Sequence, residues 1–309
     1  MELQLPIGNG SGHLTADNRM VMALQLRARG DLDAAADLIS QALEVAPGWA
    51  EARFALAETL TQLGRADAAR AAFEHYLAID PSDSMGAAAH LFQLRGGGPP
   101  PDLSPAYVQR LFDQYAPTFE KSLLEGLGYS APSQICAALR TAQPGRRFAY
   151  ALDLGCGTGL MGQAIRTDVD LLEGCDLSPK MVAAAMRKGI YDRLWVADLT
   201  AALVRLAGNP GELCDLILAA DVLIYKRDLG PVLAAATNVA RPGGVLAFTL
   251  QRCEDADIAL GLDQRYWHGR GYVLRIATET GWTPLYVGDA ASRKDKGMDV
   301  PGLLILLQK

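Results

Sequence analysis

An apolar run at 149–154 reaches Asp153 and then meets glycine at every second position, Gly155, Gly157 and Gly159. Positions without side chains at that density let a loop turn tightly and let a ligand lie against the backbone. Three further carboxylates follow at the ends of apolar stretches: Asp176 in "EGCDLSPKM" (173–181), Asp198 in "LWVADLT" (194–200) and Asp221 in "CDLILAADVLIY" (214–225). Later, "QRYWHGRGY" (264–272) sets Arg265 close to His268, the single histidine after position 90. Carboxylates of this kind accept hydrogen bonds from sugar hydroxyls and amines, histidine takes or holds a proton, and arginine matches an anion.

Strand-length apolar runs at 149–154, 170–175, 214–219 and 244–250 alternate with helical patterns at 159–166, 179–189, 228–240 and 272–281. That alternation predicts an α/β fold with a parallel sheet and helices on both faces. The tail gives two more strands, 284–288 and 302–308, joined by a polar loop, so an antiparallel pair ends the sheet. Ligands of open parallel sheets sit beyond the carboxyl ends of the strands, where the glycines and acids fall. A dinucleotide would ask for G-x-G-x-x-G, with glycine at 160, where this chain has Leu160. A pyrophosphate also gains nothing from a nearby Asp153, whereas the ammonium of a bound amino acid does. The residues therefore favour S-adenosylmethionine. Each acid has a plainer role open to it as well. Asp176 can cap the helix opened by "LSPKM", though Ser178 before Pro179 serves as well, and Asp198 can cap a helix over 200–206. Asp221 can be a solvated loop acid, and His268 a structural histidine bonded to backbone.

From about Leu103 onward the chain resembles the class I S-adenosylmethionine-dependent methyltransferases. The resemblance rests on D-x-G-x-G-x-G, then "EGCDLSPKM", "LWVADLT", "CDLILAADVLIY" and "RPGGVLAFTL" (241–250), all in family order. It implies a Rossmann-like seven-stranded sheet, mostly parallel with an antiparallel final strand, and S-adenosyl-L-methionine as cofactor. Carried over position by position, Asp153, Gly155, Gly157 and Gly159 form the cofactor loop. Asp176, with Leu177 beside it, holds the ribose; Asp198 bonds the adenine amino group with Leu199 flanking the ring, and Ala219 lies on the strand facing the methionine. "YVQRLFDQYAPTFEKSLLEGLGYSAPSQI" (107–135) is similar to predicted bacterial methyltransferases fused to tetratricopeptide repeats, and more distantly to the entry segment of malonyl-acyl-carrier-protein O-methyltransferases. There a leading helix folds across the cofactor, which implies Phe112, Tyr115 and Phe119 as lid residues and puts Tyr115 against the cofactor; plain core packing fits the same helical spacing. On the acceptor side the expected catalytic residues are His268, as base or hydrogen-bond donor, Arg265, for an anionic substrate, and Asp221. The N-P-P-Y or D-P-P-Y segment of adenine and glutamine methyltransferases is replaced by "AADVLIY", and no acid pair with a neighbouring asparagine suggests a metal site. What remains is a small-molecule, carrier-bound or protein acceptor, with oxygen as the expected acceptor atom. A repeat-based adaptor with an idle cofactor-binding scaffold is the alternative from another class.

The first third repeats itself. "ALQLRARGDLDAAADLISQALEVAP" (23–47) lies over "ALAETLTQLGRADAARAAFEHYLAIDP" (55–81) at an offset of 34 residues, which pairs Gly30 with Gly64, Ala35 with Ala69 and Pro47 with Pro81. That is the tetratricopeptide period, with small residues, the inter-helix glycine and the closing proline in the family's places. Arg19 and Arg53 stand where the family often has tryptophan, and Tyr76 where it prefers alanine. A third unit starts at "SMGAAAHLFQLRGGG" (84–98), with Gly98 in register, and breaks off. The expected organisation is an N-terminal extension (1–14), an all-α repeat domain (15–95), a glycine–proline linker (96–104) and the methyltransferase domain (105–309). Two and a half units either pack as an accessory block or offer a protein-binding groove.

Composition sets the outer limits. The chain has 309 residues, half of them hydrophobic, and a formal charge of −6 with no clustered basic face, which argues against nucleic acid as partner. No stretch approaches a membrane span, no signal peptide is indicated, and five scattered cysteines suggest neither a disulfide framework nor a metal knuckle. A reducing cytoplasm is the expected location.

Overall fold

A computed structural model describes residues 10–208, 213–295 and 297–309. The chain divides into two compact units, Met1–Tyr107 and Val108–Lys309. Most of the expected N-terminal extension lies outside the described residues. None of the described helices is long and apolar enough to cross a membrane.

The first unit stacks α1 (Leu14–Ala28), α2 (Leu32–Val45), α3 (Ala50–Gln62), α4 (Ala66–Ile79) and α5 (Ala87–Arg95). Gly30 and Gly64 link α1 to α2 and α3 to α4 with left-handed φ of 83° and 72°. Ala23, Ala35, Ala57 and Ala69 are fully buried, so close helix approach explains the small residues of the repeat. Tyr76 is also fully buried; its hydroxyl donates to Asp80 at 2.7 Å and accepts from the Met85 amide at 2.9 Å, so it ties α4 to the following turn. The third unit reduces to α5, nine residues that stop at a left-handed Gly96, two positions before the Gly98 expected to keep the register.

The second unit opens with α6 (Pro105–Tyr115), whose first turn spans the division, then a single turn α7 (Phe119–Lys121), a π-helical turn at 122–126 and α8 (Ala131–Ala142). Strands and helices then alternate: β1 (Phe148–Leu154), α9 (Leu160–Ile165), β2 (Val169–Asp176), α10 (Pro179–Arg187), β3 (Arg193–Val196), α11 (Leu199–Ala207), β4 (Cys214–Ala219), α12 (Gly230–Val239) and β5 (Ala240–Cys253). There follow β6 (Ile258–Leu260), β7 (Tyr266–Gly269), α13 (Arg270–Glu279), β8 (Thr283–Ala290), a small hairpin β9 (Lys294–Asp295) and β10 (Met298–Asp299), and β11 (Gly302–Gln308). The main sheet runs β3-β2-β1-β4-β5-β11-β8, with β7 beside the end of β5 and β6 on β7. β1 to β5 are parallel, and β11 lies antiparallel between β5 and β8. The last strand, "GLLILLQ", enters the sheet interior because five consecutive leucine and isoleucine side chains are buried there. The β6–β7 hairpin, where the sequence reading had only a connection before α13, is the main addition. β1 has β2 on one side and β4 on the other, so the chain reverses its direction of travel across the sheet there, the place at the strands' carboxyl ends where ligands of open α/β sheets bind.

Candidate active site

The glycine loop leaves β1 at that reversal, and its glycines do different work. Gly155 has φ +66°, and a Cβ there would lie 2.3 Å from Val222 Cγ2, so the loop is locked against the segment after β4. At Gly159 a Cβ would meet Tyr191 at 3.2 Å, at Gly162 the Tyr191 hydroxyl at 2.3 Å, and at Gly174 the same ring at 2.8 Å. Tyr191 threads among these three glycines, and its hydroxyl donates to Asp153 Oδ2 at 2.6 Å. Gly157 is the open position: the nearest foreign atom to a Cβ there is Phe119 Cε1 at 3.6 Å.

The acids converge on the loop. Asp176, 8% exposed, takes the Gly157 amide on Oδ2 at 2.9 Å and the Ser178 amide on Oδ1 at 2.8 Å, so its carboxylate faces the glycines. Burial raises its pKa, opposed by those two amides. The plainer capping role belongs to Ser178, whose hydroxyl accepts from the Met181 amide at 3.1 Å. Asp153 is 1% exposed and its Oδ1 is buried without a hydrogen-bond partner. Burial, reinforced by the charge of Asp176 and opposed by the Tyr191 hydroxyl, pushes its pKa up to about 7. Asp198 caps α11 through the Thr200 amide at 2.9 Å and holds Lys226 Nζ at 2.8 Å. Burial opposes its ionisation, but the Lys226 hydrogen bond and charge, with the amides, hold its pKa below the usual carboxylate value. Leu177 is partly exposed at the mouth, whereas Leu199 and Ala219 are buried.

The segment before β1 covers the loop. Phe112 meets Phe119 edge-on at 6.1 Å and Tyr225 at 5.3 Å, and Phe119 reaches Gly157. Asp113 accepts from the Ser178 hydroxyl at 2.5 Å, and Glu120 pairs with Lys188, so two acids pin α6 and α7 to the ends of α10. Asp113 lies within the 107–135 segment, but nothing in the sequence marks this tie. Tyr115 lies apart from the ring stack, 49% exposed.

On the acceptor side, Asp221 adopts a left-handed φ of 54°, uncommon outside glycine. Its carboxylate accepts from Thr249 Oγ1 at 2.7 Å and from Ser292 Oγ at 2.9 and 3.0 Å, while its own amide donates to Thr249 at 2.8 Å. Burial raises its pKa against the pull of these hydroxyls and of Arg265. Arg265 Nε donates to the Tyr225 hydroxyl at 3.0 Å. Tyr129, between the π-helical turn and α8, is held well above its ordinary pKa by burial and by the charges of Asp221 and Asp153. His268 is fully buried on β7, with Nε2 3.1 Å from the Arg227 carbonyl and its ring stacked 5.8 Å from Tyr272. An Nε2 facing a carbonyl must carry the proton, and burial lowers the pKa to about 4, so the ring is neutral. These contacts are those of a histidine bonded to backbone, the plainer of the two roles open to it. His268→Ala is expected to cost about 2–4 kcal/mol through the cavity it leaves, lowering Tm by roughly 5–10 °C with S-adenosylhomocysteine affinity unchanged. Unaltered Tm with slowed turnover would restore His268 to catalysis.

A family model of the methyltransferase domain matches residues 152–246, and one of the tetratricopeptide repeat matches 26–90. Malonyl-[acyl-carrier protein] O-methyltransferase of Salmonella typhimurium is 34% identical over 112 residues, 36% of this chain and 43% of that enzyme. The chain thus spans less than half of that relative. Ubiquinone biosynthesis O-methyltransferase of Methylococcus capsulatus is 35% identical over 174 residues, 53% of this chain and 67% of that enzyme. The chain belongs to the class I S-adenosylmethionine-dependent methyltransferases. Among solved structures, the [4+2]-cyclase SpnF shares the fold at a TM-score of 0.54 and 17% identity, over 69% of this chain and 98% of that one. The reversal point of the sheet fits the family's cofactor by its side-chain chemistry. It offers a buried orphan carboxylate oxygen on Asp153 for an ammonium, a loop open at Gly157, and the Asp176 carboxylate.

Proposed function

We propose that the chain transfers a methyl group from S-adenosyl-L-methionine to an oxygen of a small-molecule, carrier-bound or protein acceptor, with the repeats serving as a protein-docking or accessory block. The observation that carries this reading is the placement of the Asp176 carboxylate on the Gly157 amide, beside the unpartnered Asp153 oxygen. The sulfonium supplies an activated methyl and a neutral leaving group, so alignment and exclusion of water can provide most of the acceleration. Asp153 holds the ammonium, Asp176 the ribose hydroxyls, and Asp198 flanks the adenine end while capping α11. Phe112 and Phe119 exclude water from above the loop. Asp221 takes the acceptor's proton: a carboxylate whose pKa burial has raised is a better base near neutrality than an ordinary one. Five free cysteines, four of them buried, are in keeping with a reducing cytoplasm.

Calorimetry with S-adenosylmethionine tests the cofactor half, and incubation with methyl-labelled cofactor in a cell extract tests the transfer half. The expected result is micromolar binding together with a labelled product that disappears in Asp221→Asn. Absence of binding by the unaltered chain would favour the adaptor reading.

A further inference from the structure

On the acceptor side two arginines share one carboxylate. Arg265 Nη1 and Arg293 Nη2 converge on the same oxygen, Asp263 Oδ2, at 3.6 and 3.2 Å, and Gln251 Nε2 approaches it at 3.4 Å. The Arg293 side chain is 9% exposed and that of Arg265 25%, while Asp263 is the most open at 37%. Two guanidiniums thus stand behind one carboxylate on the turn between β6 and β7. Arg265 also feels the charge of Asp221, so the shortage of counter-charge falls on the nearly buried Arg293, which shares its carboxylate; a buried cation so placed gains from a further anion. The guanidinium fork matches the paired oxygens of a carboxylate or phosphate. The cluster adjoins the candidate site on both sides: Arg265 bonds Tyr225, whose ring meets Phe112, and Arg293 follows Ser292, which bonds Asp221.

We propose that Arg265, Arg293 and Tyr225 form a subsite for an anionic group, carboxylate or phosphate, on the methyl acceptor, and that Asp263 occupies it as an internal competitor. The acceptor is then an acid-bearing molecule whose anion is held on the arginines while its nucleophilic oxygen faces Asp221. The anion site stands on its own geometry; its role as an acceptor subsite rests on the methyl-transfer reading.

The test titrates the full-length chain with benzoate, phenyl phosphate and uncharged benzamide at low salt, following binding by ligand-observed NMR. One of the two anions is expected to saturate and benzamide is not, and the tighter anion names the group recognised. Asp263→Asn should tighten that anion by about tenfold, since the competitor loses its charge, and Arg265→Gln with Arg293→Gln should weaken it by at least about tenfold. Asp263→Asn decides the matter alone if the double variant does not fold. Equal binding of benzamide and benzoate, or unchanged affinity in Asp263→Asn, overturns the proposal. S-adenosylhomocysteine is titrated separately: its failure to bind, with the anion response intact, would sink the methyl-transfer reading and leave the anion site standing.

Discussion

Replacing Asp176 with alanine is expected to weaken S-adenosylmethionine binding by at least about 100-fold, roughly 2.7 kcal/mol. Two losses add. The carboxylate proposed to accept the ribose hydroxyls is gone, and hydrogen bonds to a charged group contribute about 1.5–3 kcal/mol. The amides of Gly157 and Ser178, held at 2.9 and 2.8 Å, also lose their acceptor, and the loop loses the tie that fixes its open face. Asp176→Asn keeps one acceptor oxygen but turns an amino group toward the other amide, so it should fall between alanine and the native residue. Affinity is read by calorimetry, and far-ultraviolet circular dichroism confirms that the sheet survives. A change of less than about threefold in Asp176→Ala, with the protein folded, would remove Asp176 from the cofactor site.

The strands, the glycine loop and Asp176 were legible because their signals are local. An apolar run, a spacing of two between glycines and an acid at a strand end each sit within ten residues. The repeat was legible for the same reason, since its period recurs in sequence. What escaped is what the fold brings together. Tyr191 lies 38 residues from Asp153, yet it explains why residues 159, 162 and 174 are glycine, of which the loop motif covers only 159 and assigns it to ligand contact. Ser292 bonds Asp221 across 71 residues, and Arg293 meets Asp263 across 30. No periodicity announces such pairs. The β6–β7 hairpin escaped because strands of three and four residues give too few alternations to read. His268 drew notice through its rarity, but whether a histidine faces substrate or core depends on burial, and here it is fully buried.

Asp153 should make cofactor binding depend on pH. In the free protein its pKa stands at about 7, so near pH 6 the group is largely protonated. A raised carboxyl pKa means that its contribution to stability is fully present below the unfolded value near 3.8 and is lost as pH rises through about 7. A ligand ammonium on the unpartnered Oδ1 reverses that preference, because an adjacent cation favours the carboxylate. Binding must then expel a proton below pH 7. Affinity for S-adenosylmethionine is expected to rise by up to about tenfold per pH unit between roughly pH 5.5 and 7, and to level off above it. Above about pH 8 it should fall again as the ligand's α-amino group, with an ordinary pKa of roughly 7.7–8.0, loses its own proton. Calorimetry in two buffers of different ionisation enthalpy reads the released proton directly at pH 6. Asp153→Asn keeps the Tyr191 hydrogen bond but cannot ionise, so it should bind weakly, release no proton and flatten the acid limb. An affinity in the native protein that stays level from pH 5.5 to 7 would mean that the Asp153 oxygen does not meet the ammonium, and that its burial serves only the Tyr191 contact.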